Sequence, residues 1–259
     1  MDLQLRNKVI IVTGGAKGIG AGIVKVLAKE SAIPVIVGRN KEDNQKMLEE
    51  IGGNGFEISA ELTEPAASQK AIDEVVKKYG RIDGLVNNAG VNDGVGLEHG
   101  SYELFMASLH KNLVHYYLMA KYALPLLIKS KGAIVNISSK TAETGQGGTS
   151  AYAAANGGRN ALTREWAVEL LKYGIRVNAI IVAESWTPLY EKWIESLPDP
   201  KGKLNSILEK IPLGHRMTTT EEIANMTAFL LSSCSSHTTG QLIHVDGGYV
   251  HLDRALANA

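Results

Sequence analysis

Short apolar, β-branched runs alternate along the chain with longer stretches whose apolar positions recur at three- and four-residue spacing. Val9 to Thr13 (Val-Ile-Ile-Val-Thr) reads as a strand buried on both faces, and Ile19 to Lys29 as an amphipathic helix. The same alternation predicts strands at Ile33–Val37, Phe56–Ser59, Ile82–Val86, Ala133–Ile137, Arg176–Ile181 and Leu242–Val245. Between them it predicts helices over Lys41–Ile51, Glu64–Tyr79, Tyr102–Ile128 and Ala151–Tyr173. Continuous apolar strands separated by helices imply parallel pairing through right-handed crossovers. The predicted fold class is therefore α/β, a doubly wound parallel sheet of about seven strands with helices on both faces.

The stretch from about 184 to 218 breaks the alternation. It carries Pro188, Pro198, Pro200 and Pro212 with Trp186 and Trp193, and follows the carboxyl end of a predicted strand. Ligands of open α/β sheets bind at that edge, so this stretch is read as a substrate loop, with a packed helical excursion as the plainer alternative. No Pro/Gly/Ser-rich or charged linker divides the 259 residues, which predicts one dinucleotide-binding and catalytic domain over 1–259.

Composition adds mostly exclusions. Lys plus Arg and Asp plus Glu are 27 each, a net charge of zero that gives no electrostatic reason to expect nucleic acid or an anionic membrane as partner. A single cysteine, Cys234, rules out an intrachain disulfide. The polar start Met1–Lys8 does not read as a signal peptide, and the expected location is cytoplasmic. Nothing in the His, Cys, Asp and Glu spacing suggests a metal site.

The chemistry begins at Thr13-Gly14-Gly15-Ala16-Lys17-Gly18-Ile19-Gly20, between the first strand and the first helix. Glycines there let backbone amides approach a pyrophosphate at a helix N-terminus, which makes the fold Rossmann-type and the ligand a dinucleotide. Cofactor choice turns on the end of the second strand, where an acidic residue holds the ribose of NAD and a cation accommodates the 2′-phosphate of NADP. Here that position reads Gly38-Arg39-Asn40, and Lys17 lies in the glycine loop, so NADP is favoured and NAD remains the alternative.

The loop spacing, Asn87-Asn88-Ala89-Gly90 after the fourth strand, Ser150-Ala151-Tyr152 and Asp246-Gly247-Gly248 together resemble the short-chain dehydrogenase/reductase family over nearly the whole chain. The resemblance implies cofactor contacts at Gly14, Lys17, Gly18, Ile19, Gly20, Arg39, Asn40, Glu61, Leu62, Asn88, Ala89, Gly90, Tyr152, Asn156, Val182 and Thr187. It also implies hydride transfer between a carbinol or carbonyl carbon and nicotinamide, with Tyr152 as acid/base, Ser139 bonded to the substrate oxygen and Asn112 upstream. Two smaller departures stand out: Glu61 where the family has Asp, and Val182-Ala183 where it more often has Pro-Gly.

The main departure is at position 156, four residues after Tyr152, where the family's lysine is replaced by Asn. Residues 152 and 156 share a helix face, so Asn156 is expected to hold the nicotinamide ribose by hydrogen bonds, but it supplies no charge. A cation about 5 Å from a phenolate contributes roughly 3 kcal/mol at an effective dielectric near 20. Three outcomes are open: Lys140, next to Ser139, replaces the charge; the enzyme works with Asn156 alone, slowly or at alkaline pH; or the protein binds dinucleotide without catalysis.

Further segments, among them Thr187-Pro188-Leu189-Tyr190 and the tail His251–Leu256, resemble the L-fucose dehydrogenases within the family. That implies oxidation of a sugar such as L-fucose at its anomeric carbon, with a reductase of another carbonyl as the rival. Asn92, Glu143, Gln146 and Glu184 are expected to meet hydroxyl groups, and Trp186 or Tyr190 to cover an apolar ring face. The resemblance also implies a homo-oligomer, a tetramer, with the tail 251–254 reaching either a neighbouring subunit or its own.

Overall fold

A computed structural model describes residues 2–252. Seven strands form one parallel sheet in the order β3-β2-β1-β4-β5-β6-β7. They are β1 (Val9–Thr13), β2 (Ile33–Gly38), β3 (Phe56–Ser59), β4 (Gly84–Asn87), β5 (Ala133–Ser139), β6 (Arg176–Val182) and β7 (Leu242–Val245). The helices between them are α1 (Gly18–Lys29), α2 (Lys41–Glu50), α3 (Pro65–Tyr79), α4 (Tyr102–Leu109), α5 (His115–Ser130), α6 (Ser150–Glu169), α7 (Pro188–Glu195), α8 (Pro200–Leu208) and α9 (Thr220–Leu231). The order reverses between β1 and β4, which opens a crevice at the carboxyl ends of the strands.

Alternate residues of β1 explain why helices are needed on both sides. Val9 and Ile11 face a core built with Tyr116, Met119 and Leu127 of α5 and Trp166 of α6. Ile10 and Val12 face the other core, with Ile23 and Leu27 of α1 and Ile223 and Ala228 of α9. Each such side chain contributes roughly 1.5–3 kcal/mol on full burial, so neither face of the sheet is stable bare.

The predicted strands β1, β3 and β7 match the structure end to end. The predicted strand Ile82–Val86 enters the ladder only at Gly84, because the Asp83 carboxylate instead accepts a hydrogen bond from the Val9 amide at 2.9 Å. Tyr102–Ile128, expected as one helix, is α4 and α5 joined by a π-helical turn at His110–Val114. The helix expected to reach Tyr173 ends at Glu169 and is followed by a 3-10 turn at Leu171–Tyr173. The 184–218 stretch carries α7 and α8, so the loop and the helical excursion describe one segment. Helix α9 went unassigned from the sequence, although its capping box (Thr219 with Glu222) is a start signal. The tail beyond residue 252, including 253–256 of the resembling segment, lies outside the described residues.

Candidate active site

The crevice at the switch point is a cleft of about 920 Å³. Its dinucleotide end is welded together by β1 and β4. Thr13 Oγ1 accepts hydrogen bonds from the amides of Asn88 (2.8 Å) and Ala89 (3.0 Å), while Asn88 Nδ2 donates to the Thr13 carbonyl (2.9 Å). Gly14 (φ +64°) and Gly18 (φ +57°) take left-handed backbone conformations that glycine adopts at no steric cost. A Cβ on Gly20 would run into the Gly14 carbonyl and Asn88, so the turn closes only with glycine at this position.

Helix α1 begins at the glycine turn without a side-chain cap, as α3, α5 and α6 also do. Its first-turn amides are thus left for a bound anion at the positive helix end. A flexible glycine turn, uncapped amides and a long cleft fit a dinucleotide's pyrophosphate. Gly14, Lys17, Gly18, Ile19, Arg39, Asn40, Glu61, Leu62, Asn88, Ala89, Gly90, Val182 and Thr187 all line the cleft, as expected; Gly20 does not.

The two cations also line it, but neither stands alone. Lys17 Nζ is 2.6 Å from Asp43 Oδ2, and Arg39 is 3.6 Å from Glu61. Asp43, four residues beyond Arg39 on α2, was not foreseen as a partner of Lys17. With Lys17 and Arg39 side chains 65% and 78% exposed, both pairs are the weak surface kind that a phosphate can displace.

At the other end, Ser139 closes β5 and Tyr152 stands on the first turn of α6, both lining the cleft. Asn112 lies behind them in the π turn, fully buried. Its Oδ1 accepts from the Val91 amide (2.8 Å) and its Nδ2 donates to the Ser108 carbonyl (3.0 Å), so it holds the Gly90–Val91 floor in place.

Two expectations around the missing lysine are overturned. Asn156 does not face the cleft: it is fully buried, donating to the Tyr152 carbonyl (2.8 Å) and accepting from Arg159 (2.9 Å). Both ends of its amide are thus engaged inside the protein. Lys140 does not supply free charge either. Its ammonium is ion-paired with Glu184 and lies 4.2 Å from the centre of the Tyr249 ring. The cation set against the Tyr152 ring is Arg159, whose guanidinium carbon is 6.0 Å from the ring centre. Sequence reading missed it, yet its spacing was a signal, since 152, 156 and 159 fall on one helix face.

His115, another unforeseen cleft residue, sits beside this arginine. Burial, and secondly the Arg159 charge, push its imidazole down to about 4.

The substrate residues divide. Asn92 and Tyr190 line the cleft. Glu184 sits between Lys140 and the Tyr190 hydroxyl, which donates to it at 2.7 Å; burial and this carboxylate together raise the Tyr190 phenol. Trp186, Tyr190 and Trp193 form an aromatic run with ring centres 6.2 and 5.1 Å apart. Glu143 turns away to His244 (2.9 Å), and Gln146 is exposed. With His251, Glu143 and His244 make the one group of metal-ligand types among the described residues, but the pair already satisfies itself by hydrogen bonding.

Known proteins resemble this chain along its length. The family model described as enoyl-(acyl carrier protein) reductase matches residues 14–250. L-fucose dehydrogenase of Bos taurus is 35% identical, covering 96% of this chain and 91% of its own. The 3-oxoacyl-[acyl-carrier-protein] reductase of Thermotoga maritima is also 35% identical, covering 96% and 100%. Among solved structures, the Cj0485 dehydrogenase superposes with a TM-score of 0.95 at 50% identity, over 99% of both chains. The ligand-free aldohexose dehydrogenase of Thermoplasma acidophilum gives 0.87 at 31%, over 96% of both. With its glycine turn, its Ser139–Tyr152 pair and these matches along its length, the chain belongs to the short-chain dehydrogenase/reductase family and is an NAD(P)-dependent oxidoreductase.

Proposed function

We propose that the protein oxidises a pyranose such as L-fucose at its anomeric carbon, yielding the lactone, with NADP preferred over NAD. The observation that carries the sugar reading is Tyr190, which lines the cleft and packs against Trp186 and Trp193, with its hydroxyl held from behind by Glu184 and Lys140; an aromatic face fixed at the cleft wall suits a sugar ring. Sugar dehydrogenases among the relatives support it.

Ser139 orients the anomeric hydroxyl by hydrogen bonding, and Tyr152 removes its proton. The dinucleotide, when bound, accepts the hydride from the same carbon. Asn112 keeps the Gly90–Val91 floor of the cleft in place for a bound dinucleotide. NADP preference rests on Arg39 and Lys17, released from Glu61 and Asp43 to meet a 2′-phosphate. We further infer a single domain acting in the cytoplasm as a homotetramer, whose contacts use the exposed Tyr117, Val168 and Leu171 of the α5–α6 side.

The test is cofactor reduction, followed by near-ultraviolet absorbance, with L-fucose and other aldoses, with NAD and NADP, and with Tyr152→Phe as control. Turnover that disappears in the control is expected. Reduction of 3-oxoacyl thioesters without any aldose oxidation would replace the sugar reading by the acyl one, which the Thermotoga relative favours.

A further inference from the structure

Arg159 is 3% exposed and lines the cleft, yet among the described residues no carboxylate pairs with it. Burying an unpaired cation costs several kcal/mol, so such a group persists where the surroundings offset the cost or an anion arrives. The surroundings here are neutral dipoles. Nε donates to the Asn112 carbonyl (2.7 Å), and NH1 donates to the Ile137 carbonyl (3.1 Å) and to Asn156 Oδ1 (2.9 Å). NH2 reaches Asn112 Oδ1 only at 3.5 Å, and the plane packs 4.3 Å from the centre of the Tyr116 ring. These partners orient the guanidinium without neutralising it.

The frame around it is rigid. Asn87, Asn136 and Thr163 link β4, β5 and α6 by buried hydrogen bonds of 3.0 and 2.9 Å, and Thr163 Oγ1 bonds back to the Arg159 carbonyl at 2.8 Å. The π turn sets the Asn112 carbonyl to receive Nε. NH2 abuts Gly90, where a Cβ would come within 2.9 Å of it, so the glycine admits the charge to the cleft floor.

We propose that Arg159 is the fixed positive charge of this active site, acting on the phenolate of Tyr152, and that Asn156 is the residue that holds it in place. This rests on the dehydrogenase reading of Tyr152 given above. In each oxidation the phenolate takes the proton of the substrate hydroxyl as the hydride leaves its carbon for the nicotinamide, and the tyrosine later returns that proton to solvent. The guanidinium, charged as arginine always is, stands beside that ring throughout. The charge thus enters from one helical turn beyond the position where the family resemblance expects it.

The experiment compares Arg159→Gln, Arg159→Lys and the pair Asn156→Lys/Arg159→Gln by kcat against pH, dinucleotide Kd from fluorescence, and thermal unfolding. The guanidinium carbon stands 6.0 Å from the centre of the Tyr152 ring, and a unit charge about 6 Å from a phenolate at an effective dielectric near 20 corresponds to about a 100-fold effect. Arg159→Gln is therefore expected to lose about 100-fold in kcat near neutrality, to recover toward alkaline pH, and to keep its dinucleotide Kd. Arg159→Lys and the double variant, which restore a cation, should recover most of the loss. A folded Arg159→Gln with the parent kcat and pH profile overturns the proposal. If Arg159→Gln does not fold, a folded double variant that stays 100-fold low at every pH does the same. The substrate is whichever aldose or 3-oxoacyl thioester the parent turns over, so loss of the sugar reading alone leaves this comparison intact. A parent that binds dinucleotide but turns over neither class overturns both.

Discussion

His115 couples the active site to acid stability. It sits at the start of α5, 1% exposed, with Nε2 3.0 Å from the Lys111 carbonyl and Nδ1 unpartnered. A carbonyl only accepts, so Nε2 carries the proton and Nδ1 is bare and neutral. Burial, the Arg159 charge opposite it and only weak opposing help from the Lys111 carbonyl and Glu61 bring the group from 6.5 to about 4. A base whose folded-state value is depressed binds fewer protons folded than unfolded between those values, so stability falls as pH drops from 6.5 toward 4. Between pH 7.5 and 5 the loss from this one residue is about 2 kcal/mol. Urea unfolding at pH 7.5, 6 and 5 measures it. His115→Gln can still donate to the Lys111 carbonyl but does not titrate, and should lose about that much less stability than the parent over the same interval. Equal pH dependence in parent and variant would refute the assignment of a neutral, desolvated imidazole to this position.

Three other outcomes follow from the geometry. Gly20→Ala forces a methyl group into the Gly14 carbonyl and Asn88, and should weaken dinucleotide binding at least 10-fold by titration calorimetry while the unliganded protein stays folded. Arg39→Ala should raise the Kd for NADP several-fold and leave NAD within 2-fold; equal losses for both would remove Arg39 from 2′-phosphate recognition. Val168→Glu places a charge on an apolar residue that is 70% exposed, and light scattering should then show a smaller assembly than the parent, with unfolding little changed.

How much of this was legible in the sequence depends on the range of the interactions involved. The strands β1, β3 and β7, the glycine turn and the Ser139–Tyr152 spacing are local patterns: apolar periodicity, residues that tolerate positive φ, and a serine and tyrosine brought to one edge by neighbouring β–α units. The sequence by itself determined the α/β sheet, the dinucleotide crevice and the fact that position 156 carries no charge. It also showed two cations near the adenosine end but not their partners, because Asp43 and Glu61 come from different elements. Only the tertiary structure decided where charge resides. Lys140 looked available from its place beside Ser139, but a carboxylate 44 residues away neutralises it. Arg159 looked like one more helical arginine until the Asn112 carbonyl, 47 residues away, and Ile137 closed around it. A charge's role depends on which dipoles and counter-charges surround it in three dimensions, and those come from segments that one-dimensional spacing does not connect.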